Sequence, residues 1–228
     1  FTVGSLFVAA VAALILFSES LDEETEAAII AHRGASVHAP ENTLAALREA
    51  VRQGAHMVGT DSVYGPSRVV VEKHFARFGV ESTFVDTSNP DNIVAVIRPE
   101  TTMLYIETPE NPTIRLTDIA ACAEIAREHD LVLVVDNTFA TPLLQNPLDL
   151  GADIVVHSAT KYLSGHGDVL AGVVACSAER GLDLRERQKL LGANLGPQEA
   201  WLALRGLKTL PLRMRQHCDN AWTVAHWL

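Results

Sequence analysis

The stretch LVLVVDNTFATPLLQNPLDLGADIVVHSATK (residues 131–161) decides the fold, because it holds two apolar runs that each end in polar residues. We predict strands at LVLVVD (131–136) and DIVVHSA (153–159), since continuous apolar runs are typical of strands buried on both faces. Further elements are predicted at 103–108 and 167–177 (strands) and at 116–129 (an amphipathic helix). Strands alternating with helices predict an α/β fold, a mostly parallel sheet with helices on both faces.

Composition and charge narrow the classes of partner. The chain has 228 residues, a formal net charge of -10 and a pI of about 5.3. Such an acidic chain is not expected to bind nucleic acid or anionic membrane surfaces through electrostatics, although small anionic ligands need only a local site. The three cysteines lack the spacing of a zinc site and suit a reducing compartment such as the cytoplasm, so we predict no metal site.

Polar side chains follow the predicted strands at the points where these end. Asn111 follows the strand at 103–108, Asp136 ends the next strand, and Ser158, Thr160 and Lys161 follow the third. Ligands of parallel α/β sheets bind at the carboxyl ends of the strands. A buried carboxylate there needs a cation or hydrogen-bond donors, and a lysine in such a place can act as a nucleophile.

This combination of groups matches pyridoxal phosphate (PLP). The cofactor needs an amine for a Schiff base, a carboxylate beside its pyridine nitrogen, and hydroxyl or backbone donors for its phosphate. A single lysine or aspartate at a strand end is usually structural. The prediction therefore rests on the ordered combination.

Five motifs make the chain from Asp61 to Leu228 resemble the Cys/Met-metabolism family of PLP enzymes. The motifs are SVYGPSR (62–68), ARFGVESTFVD (76–86), YIETPENPT (105–113), VDNTFATPLLQNPLDLGADIVVHSATKYLSGHGDVLAG (135–172) and LRGLKTLPLRMRQHCDNA (204–221). The family includes cystathionine and methionine lyases. The resemblance implies a type I PLP-transferase large domain, similar to aspartate aminotransferase, that is incomplete because the family's N-terminal arm and C-terminal domain are missing.

The resemblance assigns the reacting groups. Lys161 matches the Schiff-base lysine, which also moves the substrate's α-proton. Asp136 matches the partner of the pyridinium nitrogen. Tyr64 matches the tyrosine that stacks on the cofactor ring and helps to protonate the leaving group.

The same resemblance assigns further contacts. Ser158 and Thr160 match phosphate ligands, and Asn111 lies where the family contacts the cofactor's phenolic oxygen. Glu107 matches an acid behind the site. The implied activity is trans-sulfuration chemistry: elimination at a C–S bond, or γ-replacement, on cystathionine, methionine or an activated homoserine. The resemblance also implies a homo-oligomer, the family's tetramer.

The N-terminal part of the sequence differs in character. Residues 1–17 are uncharged and apolar, residues 18–25 are acidic, and residues 26–60 predict a strand followed by a helix. IIAHRGASVHAPENTLAALREAVRQGAHMV (29–58) resembles the opening of a membrane-anchored glycerophosphodiester phosphodiesterase. That resemblance makes His32 and Arg33 candidate catalytic or phosphate-binding residues and makes Glu41 and Asp61 candidate metal ligands. It also makes residues 1–17 a possible membrane tether.

Two alternatives to the PLP enzyme therefore stay open: a phosphodiesterase fragment and an inactive chimeric product joined near Val58–Asp61. One strand and one helix cannot build a phosphodiesterase barrel. The predicted strand AIIAH (28–32) could instead fill the first strand position of the PLP fold. We also interpret His157 as a strand residue and His166 as a turn residue, and we expect the tryptophans, at 201, 222 and 227, to pack against other parts of the fold.

Overall fold

The computed structural model describes residues 28–32, 55–192 and 194–228. Within this part of the chain, one sheet of seven strands has the order β1-β7-β6-β5-β4-β2-β3. The strands are β1 (Ala28–His32), β2 (His56–Thr60), β3 (Glu81–Val85), β4 (Thr101–Glu107), β5 (Val132–Asp136), β6 (Ile154–Ser158) and β7 (Gly172–Cys176).

The central strands run parallel, and β7 runs against both of its neighbours. β2 pairs in parallel with β3 and with β4, and the parallel pairing continues through β5 to β6. β7 is antiparallel to β6 and to β1. The predicted α/β class with a mostly parallel sheet is confirmed, and AIIAH occupies the edge position beside β7.

The helices follow the strands along the chain. Their bounds are α1 (Gly65–Val69), α2 (Pro90–Val94), α3 (Ile119–Glu128), α4 (Thr141–Leu144), α5 (Ala178–Leu191), α6 (Pro197–Leu207) and α7 (Leu210–Trp227). A π-helical turn at Val70–His74 and a 3-10 turn at Phe75–Phe78 extend α1, and a 3-10 turn at Pro147–Leu150 precedes β6. The strands predicted at 103–108 and 131–136 and the helix predicted at 116–129 are present as β4, β5 and α3. Their ends differ by up to three residues from the prediction.

Alternating side chains of the central strands enter two separate cores, as the period of a strand requires. Leu104, Leu133 and Val155 pack on one face with the apolar side of α3. Val134 and Val156 lie on the opposite face with Leu184 of α5. The sheet is therefore covered on both sides, and its polar strand ends lie along one edge.

A third core joins α6 and α7 to the turn that carries Lys161. Ala159 and Leu163 of this turn pack with Leu210 and Met214 of α7. A Cβ atom added to Gly206 of α6 would lie 2.2 Å from the carbonyl oxygen of Ser164, so the helix and the turn approach as closely as only glycine permits.

The three tryptophans correct one expectation. Trp201, Trp222 and Trp227 lie on α6 and α7 but are 55%, 69% and 82% exposed, so the expectation that they pack against other parts of the fold is wrong within the described residues. Within the described residues, the sides of α6 and α7 that carry these tryptophans are not covered by another element. The predicted helix after Pro40 and the apolar segment 1–17 lie outside the described residues. No helix within the described ranges is long and apolar enough to cross a membrane.

Arg213 of α7 binds three carbonyl oxygens, two in the turn after Lys161 and one in α6. Its Nη1 donates to Tyr162 O at 2.7 Å, and its Nη2 donates to Gly206 O at 2.7 Å and to Leu163 O at 3.3 Å. Partial burial lowers the pKa of Arg213. The guanidinium group therefore ties the turn to both α6 and α7.

We expect Arg213→Met to lower the free energy of unfolding by about 1–3 kcal/mol, because three carbonyl groups lose a charged donor. Arg213→Lys should recover only part of this loss, since an ammonium group lacks the planar fork of donors. Urea unfolding of the full chain measures the change. Arg215→Met, at an exposed position on the same helix, is the matched control; equal losses in both variants would contradict the role of Arg213.

Candidate active site

The candidate site is built on the ends of β4, β5 and β6. Glu107, the last residue of β4, lies directly opposite Asp136, the last residue of β5. Ser158 ends β6. The parallel register therefore brings the predicted polar groups to one edge of the sheet.

Asp136 is buried and is held by donors from two elements. Its Oδ1 accepts hydrogen bonds from the backbone N–H of Thr138 at 3.0 Å and from the hydroxyl of Thr138 at 2.6 Å. Its Oδ2 accepts a bond from the hydroxyl of Tyr105 at 3.3 Å. These bonds fix the direction of the carboxylate at the edge of the sheet.

Thr138 also connects Asp136 to the end of β6. The N–H of Ser158 donates to the hydroxyl oxygen of Thr138 at 2.8 Å. One hydroxyl group thus joins the predicted partner of the pyridinium to a predicted phosphate ligand.

Glu107 is the second buried carboxylate, with 6% of its surface exposed. Its Oε2 accepts a bond from the N–H of Tyr64 at 2.8 Å, and its Oε1 accepts one from the N–H of Asn111 at 3.1 Å. The contacts of Glu107 therefore bring the backbone of two predicted cofactor contacts to the end of β4, next to Asp136.

Burial and mutual repulsion disturb the titration of this pair. Burial is the largest cause that raises the pKa of Glu107 to about 8, the negative charge of Asp136 adds to the effect, and the two backbone N–H groups oppose it. Burial also raises the pKa of Asp136, against the bonds from Thr138 and Tyr105. The pKa of Tyr105 is raised by burial and by the same two carboxylates. Within the described residues, neither Glu107 nor Asp136 has a cationic partner.

The turn after β6 carries the remaining predicted residues. The N–H of Lys161 donates to Ser158 O at 3.0 Å, and the carbonyl of Lys161 accepts a bond from Gly165 N–H at 2.9 Å. The side chain of Lys161 is exposed, and among the described residues no hydrogen bond or ion pair joins its Nζ. The structure therefore places Lys161 in the same turn as Ser158, and within the described residues no ion pair joins it to Asp136 or Glu107.

The hydroxyl of Thr160 bonds to the backbone of Ala171, the residue directly before β7. Its Oγ1 accepts a bond from Ala171 N–H at 3.0 Å and donates to Ala171 O at 3.3 Å. The second bond is long, so the hydroxyl proton is the group that a phosphate could compete for. His157 is buried on β6, where burial lowers its pKa to about 4, and His166 Nδ1 lies 2.6 Å from Ser164 O within the turn.

An ion-pair cluster holds the loops around the site together. Arg115 binds Asp61 after β2, Asp86 after β3 and the fully buried Glu110 after β4, at 2.6, 2.6 and 2.8 Å. Asp61 is the residue that the phosphodiesterase resemblance placed at a metal site. Here it serves as one of three carboxylates on a single guanidinium group.

Sequence reasoning missed Tyr105, Thr138, Arg115 and Arg213. Tyr105 precedes Glu107 by two residues on β4, so period-two alternation places both on one face and could have identified it. Thr138 stands two residues after Asp136, a spacing at which a hydroxyl commonly bonds an aspartate. The long-range partners of the two arginines left no comparable local pattern.

The paired carboxylates predict that the free energy of unfolding falls as pH rises from about 5 to 8. Each carboxyl group binds its proton more tightly in the folded chain than in the unfolded chain, so the folded chain holds more protons in this window. For Glu107, stability then decreases by up to about 1.4 kcal/mol per pH unit across this window, and Asp136 acts in the same direction. Glu107→Gln should flatten this slope, as measured by urea unfolding of the cofactor-free chain at several pH values. Glu124→Gln, an exposed change on α3, should leave the slope as it is; an unchanged slope in Glu107→Gln would contradict the assignment.

Comparisons with known proteins agree with the fold and the motifs. The family model described as Cys/Met metabolism PLP-dependent enzyme matches residues 20–228. The chain is 52% identical over 176 residues to cystathionine gamma-lyase of Bacillus subtilis, covering 77% of this chain and 46% of that protein. It is 50% identical over 181 residues to L-methionine gamma-lyase of Porphyromonas gingivalis, covering 78% and 45%.

A solved structure shows the same fold. The crystal structure of cystathionine gamma-lyase from Lactobacillus plantarum complexed with L-serine matches with a TM-score of 0.75 and 34% identity, covering 94% of this chain and 61% of that one. The chain spans about half the length of the curated relatives that it matches. The family match confirms the predicted resemblance, whereas the phosphodiesterase resemblance of residues 29–58 stays a prediction. The chain belongs to the Cys/Met metabolism family of PLP-dependent enzymes.

Proposed function

We propose that this chain carries the cofactor-binding half of a PLP-dependent lyase or γ-replacement enzyme of sulfur amino-acid metabolism. The observation that carries the proposal is the pair of adjacent buried carboxylates, Glu107 and Asp136, without a cationic partner in the described residues. Two such charges are costly to bury alone, so the site favours a bound cation. The pyridinium group of PLP is a cation of suitable shape.

The residues around this pair fit the rest of the cofactor. Lys161 would supply the amine that holds the cofactor's aldehyde carbon, and its exposed side chain is free to reach toward the sheet edge. Ser158 and Thr160, in the same turn, would donate hydroxyl groups to the phosphate. Tyr64 would stack on the ring, and Asn111 would contact the phenolic oxygen.

The cofactor supplies an electron sink for the bond-breaking chemistry. Asp136 would hold a proton on the ring nitrogen. The amine of Lys161 would accept the proton from the substrate's Cα. Tyr64 would donate a proton to the departing sulfur or oxygen atom.

The substrate is proposed to be an amino acid such as cystathionine, methionine or an activated homoserine. Relatives named as cystathionine gamma-lyase, cystathionine beta-lyase and methionine gamma-lyase support this class and leave the choice within it open. They favour the lyase over the phosphodiesterase alternative. A homo-oligomer and action in the cytoplasm are further parts of the proposal.

The division of the chain into residues 1–25, 26–60 and 61–228 also remains a proposal. Pairing of β1 with β7 along five residues supports the part in which the segment 26–60 contributes a strand to the PLP-type sheet. The family model includes the whole of this segment, since its match runs from residue 20 to residue 228.

The test is a visible absorbance spectrum of the full chain after incubation with PLP. We expect a band that borohydride bleaches in the wild type and in Lys189→Ala, an exposed lysine on α5. The band should be absent in Lys161→Ala. Asp136→Asn should bind PLP at least tenfold more weakly, because the ring nitrogen loses a charged partner. A band that persists without Lys161 would refute the proposed site.

A further inference from the structure

Glu107 connects two loops that leave different strands. Tyr64 lies in the loop after β2, and Asn111 lies in the loop after β4. The backbone N–H groups of both residues point to one carboxylate, at 2.8 Å and 3.1 Å. Each oxygen of Glu107 accepts one of them, so neither oxygen can be lost without leaving a donor unpaired.

The strand position of Glu107 is itself fixed. Its backbone N–H donates to the hydroxyl of Thr60 on β2 at 3.2 Å. Thr60 is bonded in turn to Thr87, and Thr87 to Thr117, at 2.9 and 2.7 Å. This buried chain of hydroxyl groups gives the carboxylate a rigid support from which to hold the two loops.

We propose that Glu107 is a positioning residue that sets the Tyr64 and Asn111 loops in one arrangement beside Asp136. This inference rests on the proposed function, since Tyr64 and Asn111 are cofactor contacts only in that function. Neither glutamine nor aspartate can replace Glu107 and keep both hydrogen bonds in the same geometry. Glutamine has one acceptor and turns a donor toward the second N–H, and aspartate is one methylene shorter.

The groups around Glu107 make this role respond to the bound cation. Asp136 lies opposite on β5, Glu110 lies in the following loop, and Tyr105 lies on the same face of β4. Burial and the negative charges of Asp136 and Glu110 oppose ionisation of Glu107 and so raise its pKa. A pyridinium beside Asp136 removes part of that repulsion and favours the ionised carboxylate, which is the form that binds the N–H groups most strongly.

The first test measures the loops without any cofactor. Residue-resolved amide hydrogen exchange of the full chain is compared between the wild type and Glu107→Gln. At a pH above 8, where Glu107 is ionised, we expect the amides of Tyr64 and Asn111 to exchange roughly tenfold faster in the variant, because the single acceptor oxygen of glutamine cannot satisfy both N–H groups. The matched control is Glu110→Gln, a fully buried carboxylate that binds Thr113 and Arg115 instead. It should leave the Tyr64 amide unchanged, and wild-type exchange at both amides in Glu107→Gln would overturn the proposal.

The second test measures PLP affinity in the same proteins between pH 6 and 8. We expect Glu107→Gln to bind PLP roughly tenfold more weakly than the wild type at pH 8, and the ratio of their dissociation constants to shrink toward pH 6. A ratio that is constant with pH would mean that Glu107 acts only through loop structure and would refute the coupling to the cation. If the wild type binds PLP and the variant binds equally well, the positioning role fails while the proposed function stands. If the wild type does not bind PLP, the proposed function fails and hydrogen exchange alone decides whether Glu107 holds the loops.

Discussion

The register that places Glu107 opposite Asp136 is the constraint on which the candidate site depends. Two carboxylates at the ends of adjacent parallel strands cannot move apart without shifting the sheet. Their repulsion and burial must therefore be offset by neighbours. Thr138 and Tyr105 provide donors to one, and the Tyr64 and Asn111 loops provide donors to the other. The shape of the site follows from the need to satisfy this pair.

The lysine turn is held by a different part of the molecule. Arg213 and the close approach of Gly206 fix the backbone after Lys161 to the C-terminal helices, whereas the carboxylates belong to the sheet. Ser158 is the point where these two parts meet, through the hydroxyl of Thr138. The backbone of the turn is thus held by hydrogen bonds, whereas the exposed amine of Lys161 has no hydrogen bond or ion pair within the described residues.

The sequence was sufficient to locate the ends of the central strands and hence Asp136, Ser158 and Lys161. Apolar runs mark buried strands, and the polar residues that follow mark the edge where ligands bind. It could not place Tyr105 on Asp136, because that contact depends on the register between β4 and β5. The same limit applies to Arg213, whose two acceptors in the lysine turn lie 51 and 50 residues away. The expectation that the tryptophans pack was wrong because the sequence of a helix does not show whether another element covers its apolar residues.

The edge strand β1 has a consequence for how the chain is made. Ala28 pairs with Cys176 and His32 with Gly172. The first described strand along the chain therefore pairs with the last one. During synthesis, the residues of all the described strands must leave the ribosome before this pair can form. Until then β1 has no neighbour, and a long loop must close to bring it beside β7. The nascent chain therefore passes through a stage in which an unpaired edge can be captured by another molecule, and chaperones would act at that stage.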